Sequence, residues 1–73
     1  MARFVITTKQ RTHWNGIRIE PGMSVEVITP YTYNPVTTNG GQAVVDAFMR
    51  IYGIDIRRAG ILSTAFLDVR QIG

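Results

Sequence analysis

Between Gly16 and Thr29 the chain alternates apolar and polar side chains with a period of two, interrupted once, at Pro21-Gly22. Ile17 and Ile19 before the interruption, and Met23, Val25 and Val27 after it, make the apolar set; Arg18, Glu20, Ser24 and Glu26 make the polar one. Because successive side chains of a strand point to opposite faces, this stretch is restricted to two strands, each with a dry and a wet face. Pro21 presets φ and Gly22 supplies positive φ, the requirements of positions i+1 and i+2 of a type II turn.

Residues directly opposite each other in an antiparallel pair point to the same face. A two-residue loop at Pro21-Gly22 would set Ile19 against Ser24 and Arg18 against Val25, apolar against polar. Type II turns also match the twist of a tight hairpin poorly. Two solutions remain: a bulge near Met23, or strands that diverge at the turn. The bulge is the preferred expectation, since it sets Ile19 opposite Val25, Ile17 opposite Val27 and Arg18 opposite Glu26.

On the N-terminal side, Phe4 to Thr8 are good strand residues, and the stretch Arg3 to Lys9 reads as a central strand buried on both faces at its middle. Gln10 to Asn15 reads as a polar connection closed by the turn dipeptide Asn15-Gly16. Pro30 to Gly41, with two prolines, two glycines and two tyrosines, fits no regular element. A loop that long in a small domain is either packed down by its own side chains or functional, so Tyr31 and Tyr33 are read both as a cover for one end of the sheet and as a contact surface.

Asn39 is placed to cap a helix that Gly53 ends, with Ala43, Val44, Ala47, Phe48 and Ile51 as its core-facing stripe. Val45, Met49 and Tyr52 form a second apolar row, and Gln42, Asp46 and Arg50 the wet side. Asp55 could cap a helical turn running to Ala59. Ser63 to Ile72 reads as the last strand, with Ala65, Leu67 and Val69 inward and Phe66 and Ile72 among the polar positions. The expected fold is α+β in the order β-β-β-α-β: a small antiparallel sheet or partly open barrel of about four strands on one main helix. It should form one domain over residues 1–73.

At 73 residues the chain lies near the lower limit for a single core without staples. It has no cysteine, which excludes disulfides, thiolate metal sites and cysteine nucleophiles. Its 45% hydrophobic and 18% charged residues are a globular balance. No stretch approaches the roughly 20 apolar residues of a membrane span, so no membrane association and a cytoplasmic location are expected.

Catalysis finds little support. His13 is the only histidine, Ser24 and Ser63 lie on no nucleophile elbow, and Glu20, Glu26 and Asp68 have no metal-ligand spacing with His13. Gly40-Gly41 before a helix lacks the other glycines and the lysine of a phosphate-binding loop. We therefore expect no enzyme, no metal and no cofactor. Two binding hypotheses remain. In the first the chain is a protein-protein interaction module presenting Tyr31, Tyr33, Val45, Met49 and Tyr52, with a second copy of the chain as one candidate partner. In the second, Lys9, Arg11, Trp14 and Arg18, around His13, bind nucleic acid, cations following phosphates and the indole stacking on a base. The net charge of +3 is compatible with anionic partners and selects neither hypothesis.

Three segments, Asn15 to Val27, Asn34 to Gly41 and Asp46 to Gly60, together resemble a small uncharacterised bacterial protein family. The resemblance extends over nearly the whole chain. It implies a complete small protein and carries no activity or binding residues onto these positions.

Overall fold

The computed structural model describes all of residues 1–73. Five strands and one helix follow in the order β1 (Ala2–Thr8), β2 (Thr12–Trp14), β3 (Ile17–Ile19), β4 (Ser24–Thr29), a 3-10 turn (Asn39–Gly41), α1 (Gln42–Tyr52) and β5 (Leu67–Gln71). The strands form two antiparallel sheets: β4-β1-β5, with β1 central as expected, and a separate β2-β3 ribbon. The α+β class therefore holds, with one strand more than the sequence suggested.

That extra strand comes from Thr12-His13-Trp14, read from the sequence as a polar connection. Asn15 and Gly16 have φ of 51° and 75°, the two positive values that a type I′ hairpin loop needs. The turn pairs Trp14 with Ile17, His13 with Arg18 and Thr12 with Ile19. With its partner found on the N-terminal side, β3 does not pair with β4.

The expected bulged hairpin around Pro21-Gly22 is thus absent, and the strands diverge there instead. Glu26 lies opposite Val5 on β1, and its carboxylate accepts a 2.7 Å hydrogen bond from Arg3, not from Arg18. Thr8, 2% exposed at the end of β1, holds the corner together. Its hydroxyl donates to the Glu20 carbonyl (2.6 Å) and accepts from the Met23 N–H (2.9 Å), while its backbone carbonyl accepts from the Gly22 N–H (2.9 Å). A buried hydroxyl with both roles filled fixes the corner without strand pairing across it.

The sidedness read from the sequence survives this change of partners. Ile19, Val25 and Val27 are buried and Ile17 half-buried, while Arg18 and Glu26 face solvent. Phe4, Ile6, Val25, Val27 and Leu67 make the inner face of the sheet, against Val44, Val45, Ala47 and Phe48 of α1; Ile56, Ala59 and Ile61 complete the core. The last strand is shorter than expected, leaving Ala65 exposed.

The long loop is packed down, by other residues than the tyrosines. Pro35 and Val36 are buried, and Asn34 organises the turn: its side-chain oxygen accepts from the Val36 N–H (2.8 Å) and its carbonyl from the Thr38 hydroxyl (2.8 Å). Tyr31 and Tyr33 stack on each other with ring centroids 5.4 Å apart, and Tyr33 remains 66% exposed.

The helix departs from its expected apolar stripe in two places. Val45, a candidate contact in the second apolar row, is only 8% exposed and is covered by the core. Ile51, assigned to the core, is 59% exposed. On a helical wheel of about 100° per residue, Ile51 lies on the same side as Val44, Ala47 and Phe48. It lies in the last turn of α1, one turn beyond the buried Phe48 and Ala47.

Candidate functional site

The C-terminal end of α1 carries Met49, 47% exposed, and Tyr52, 40% exposed, beside Ile51. Tyr52 is half committed: its ring stacks on Phe48 (centroids 5.8 Å apart), and its hydroxyl accepts from the Ser24 N–H (2.9 Å) and donates to the Ser24 carbonyl (3.2 Å). Met49 instead borders a cleft of about 510 Å³ between the helix end, the Asn15-Gly16 hairpin tip and the segment after Gly53. Ile17, Ile54 and Met49 form its apolar part, and Arg18, Arg58 and Asp55 its charged part.

Local sequence explains how these side chains meet. Gly53 closes α1 in the left-handed conformation, its N–H bonding the Met49 carbonyl at 3.0 Å, and turns the chain back toward β3. Asp55 then caps the expected turn, its Oδ1 accepting from the backbone N–H of Arg57 (3.1 Å) and Arg58 (3.2 Å). Asn15 at the hairpin tip donates its side-chain N–H to the Arg58 carbonyl (2.8 Å), which clamps ribbon and turn together. Arg18 and Arg58 are thereby brought to one cleft, and neither forms an ion pair; the only salt bridges are Arg3–Glu26 and Arg11–Glu20. Asp55 is engaged with the Arg57 and Arg58 N–H groups, and the two guanidinium groups, in no ion pair, outnumber it; beside Met49, Ile17 and Ile54 they make a site for a group both anionic and apolar.

The remaining candidates do not gather at this place. Tyr31 and Tyr33 follow the far end of β4, whereas Tyr52 touches its first residue; a six-residue strand separates them, about 17 Å. Arg11 is held by Glu20 through a 2.7 Å hydrogen bond. Ribbon parity sets Trp14, with Thr12, Ile17 and Ile19, on the face opposite His13 and Arg18. Trp14 stands 62% exposed beside a hollow shared with Ala59, Gly60 and Phe66, apart from the Met49 cleft. Arg57, a possible extension of the basic set, points toward the loop before α1 and donates to the Gly40 carbonyl (2.8 Å).

Ile54, Asp55 and Arg58 were the cleft residues hardest to foresee. Their segment carries only a weak pattern, and its place against the hairpin tip depends on the Asn15 hydrogen bond across 43 positions. No three histidine, aspartate or glutamate side chains converge, and no helix is long and apolar enough to cross a membrane. No curated protein and no solved structure matched the chain. Residues 1–69 match the model of a family described as a family of unknown function, DUF6140, and with that match spanning nearly the whole sequence the chain belongs to this family.

Proposed function

We propose that the chain is a non-enzymatic protein-protein interaction module, and that the Met49 cleft receives a segment of a partner protein bearing an apolar side chain next to a carboxylate. The observation that carries this reading is the joint presence of Met49, Ile17 and Ile54 with Arg18 and Arg58, two cations without an ion-pair partner. Methionine is adaptable at binding surfaces, and arginine gives planar, bidentate contacts to carboxylates. Ile17, Ile54 and Met49 line the cleft beside the two arginines, which favours a protein over a free anion.

The rival, nucleic-acid binding through Lys9, Arg11, Trp14 and Arg18, is less favoured by the arrangement. Stacking and phosphate contacts on one strand need the indole and the cations on a common surface, and Trp14 borders the hollow with Ala59, Gly60 and Phe66, not the cleft that Arg18 lines.

The test is affinity capture from cells that make the protein, with wild type, Met49→Asp and the double variant Arg18→Glu/Arg58→Glu as baits, quantified by mass spectrometry. Partners captured by wild type should be lost at least tenfold with both variants. In parallel, a labelled single-stranded oligonucleotide is titrated at low and physiological salt. Capture unaffected by either variant, or oligonucleotide binding that weakens steeply with salt and requires Trp14, would refute the reading in favour of the rival.

A further inference from the structure

The outer edge of β4 is open over two residues and closed at both ends. The Met23 carbonyl accepts from Thr8 on β1, so by alternation the N–H and C=O groups of Ser24, Glu26, Ile28 and Pro30 point away from the sheet. Ser24 is capped on both groups by the Tyr52 hydroxyl, and Pro30 has no N–H. Glu26 and Ile28 are left with unpaired backbone donors and acceptors on an edge that no other strand covers. Beside them runs a slot of about 310 Å³ whose far wall is the flank of α1, with Ala43 and Ala47 lining it.

We propose that this slot takes an extended segment of a partner protein as a fourth strand beside β4, an interaction independent of the Met49 cleft. Pairs of N–H and C=O groups spaced as on a strand are matched by another strand backbone, which specifies the class of ligand. The small side chains of Ala43 and Ala47 leave room on the helix side for side chains of the incoming strand. Of the charged residues lining the slot Glu26 is paired with Arg3, while Asp46 and Arg50 are in no ion pair, so a segment with charges of both signs is complementary.

A second copy of this chain is the less suited occupant. Helix α1 lies closer to β4 than to β1 or β5. A β4-β4 pair, its strands about 4.8 Å apart, would set two α1 helices side by side on one face, where packed helices need roughly 8–10 Å between axes. The occupant has no helix above that face.

The experiment selects a displayed library of random linear peptides against the full chain, with counter-selection on Ile28→Pro. Proline at an outward-facing edge position removes the free N–H without removing a bond of the fold, and Ile28→Thr keeps that N–H as the matched control. Enriched peptides should bind Ile28→Thr about as tightly as wild type and Ile28→Pro at least tenfold more weakly, and should slow amide exchange at Glu26 and Ile28. No enrichment over the counter-selected variant, equal binding to Ile28→Pro while it remains folded by circular dichroism, or protection of these amides by self-association instead of by peptide would each overturn the proposal. Binding here should be indifferent to Arg18→Glu/Arg58→Glu, which separates its failure from failure of the Met49 cleft.

Discussion

Two glycines with nearly the same backbone angle offer a measurement of packing alone. Gly41 (φ 69°) precedes α1 and Gly53 (φ 68°) follows it. A β-carbon at Gly53 would meet nothing within 4 Å, whereas one at Gly41 would lie 2.8 Å from Leu62 Cδ1 and 2.9 Å from the carbonyl oxygen of Val36. Both alanine variants place an L side chain in the left-handed region, at about 1–2 kcal/mol. Both also gain the same reduction of unfolded-state entropy, about 0.4–1 kcal/mol, which cancels in the comparison. Only Gly41→Ala adds overpacking, typically about 1–3 kcal/mol, and one of the crowding atoms is backbone in the packed-down loop, where relaxation is costly. We expect Gly53→Ala to destabilise by about 1 kcal/mol and Gly41→Ala by about 3 kcal/mol. A chain of this length has a stability on the order of 4–11 kcal/mol, so the larger loss is readily measured. The assay is equilibrium urea unfolding followed by circular dichroism, with thermal midpoints as a second readout, falling by about 4–8 °C per kcal/mol. Equal losses in the two variants, within about 0.5 kcal/mol, would refute the placement of Gly41 against Leu62 and Val36.

Two other perturbations test the parts that position the sites. Tyr52→Phe removes the cap on Ser24 and should cost about 1 kcal/mol; amide exchange at Ser24 should accelerate while Val25 stays protected, and an unchanged Ser24 rate would contradict the closed end of the β4 edge. Ile19→Ala, at a fully buried position that anchors the β2-β3 ribbon, should cost about 2–5 kcal/mol in urea unfolding, and a loss below about 1 kcal/mol would mean that the ribbon is not docked on the core.

Local chemistry made much of the fold legible. The alternation of Ile17, Ile19, Val25 and Val27 against Arg18 and Glu26 set which faces are dry, because the side-chain period of a strand does not depend on which strand it pairs with. Gly53 marked the end of the helix and Asp55 the capped turn, since both act within a few residues. Asn15-Gly16 between Thr12-His13-Trp14 and Ile17-Arg18-Ile19 also carried its hairpin signal, outweighed by the polarity of the residues before it.

Partner choice was decided by the tertiary structure. Parity ruled out a tight hairpin at Pro21-Gly22, yet bulge and divergence satisfy it equally; the buried hydroxyl of Thr8, twelve or more positions away from the groups it bonds, selects the corner. Asn39, expected to cap α1, does not; Gly41 holds that position without a side-chain bond. Burial along α1 likewise followed tertiary packing and not helical period alone, exposing Ile51 and covering Val45. The two candidate sites share this origin. A cleft that joins Arg18 to Arg58, and an edge left open between Tyr52 and Pro30, arise from contacts across dozens of residues, whereas the sequence alone determines strand face, turn and the caps at Gly53 and Asp55, whose causes lie within a few positions along the chain.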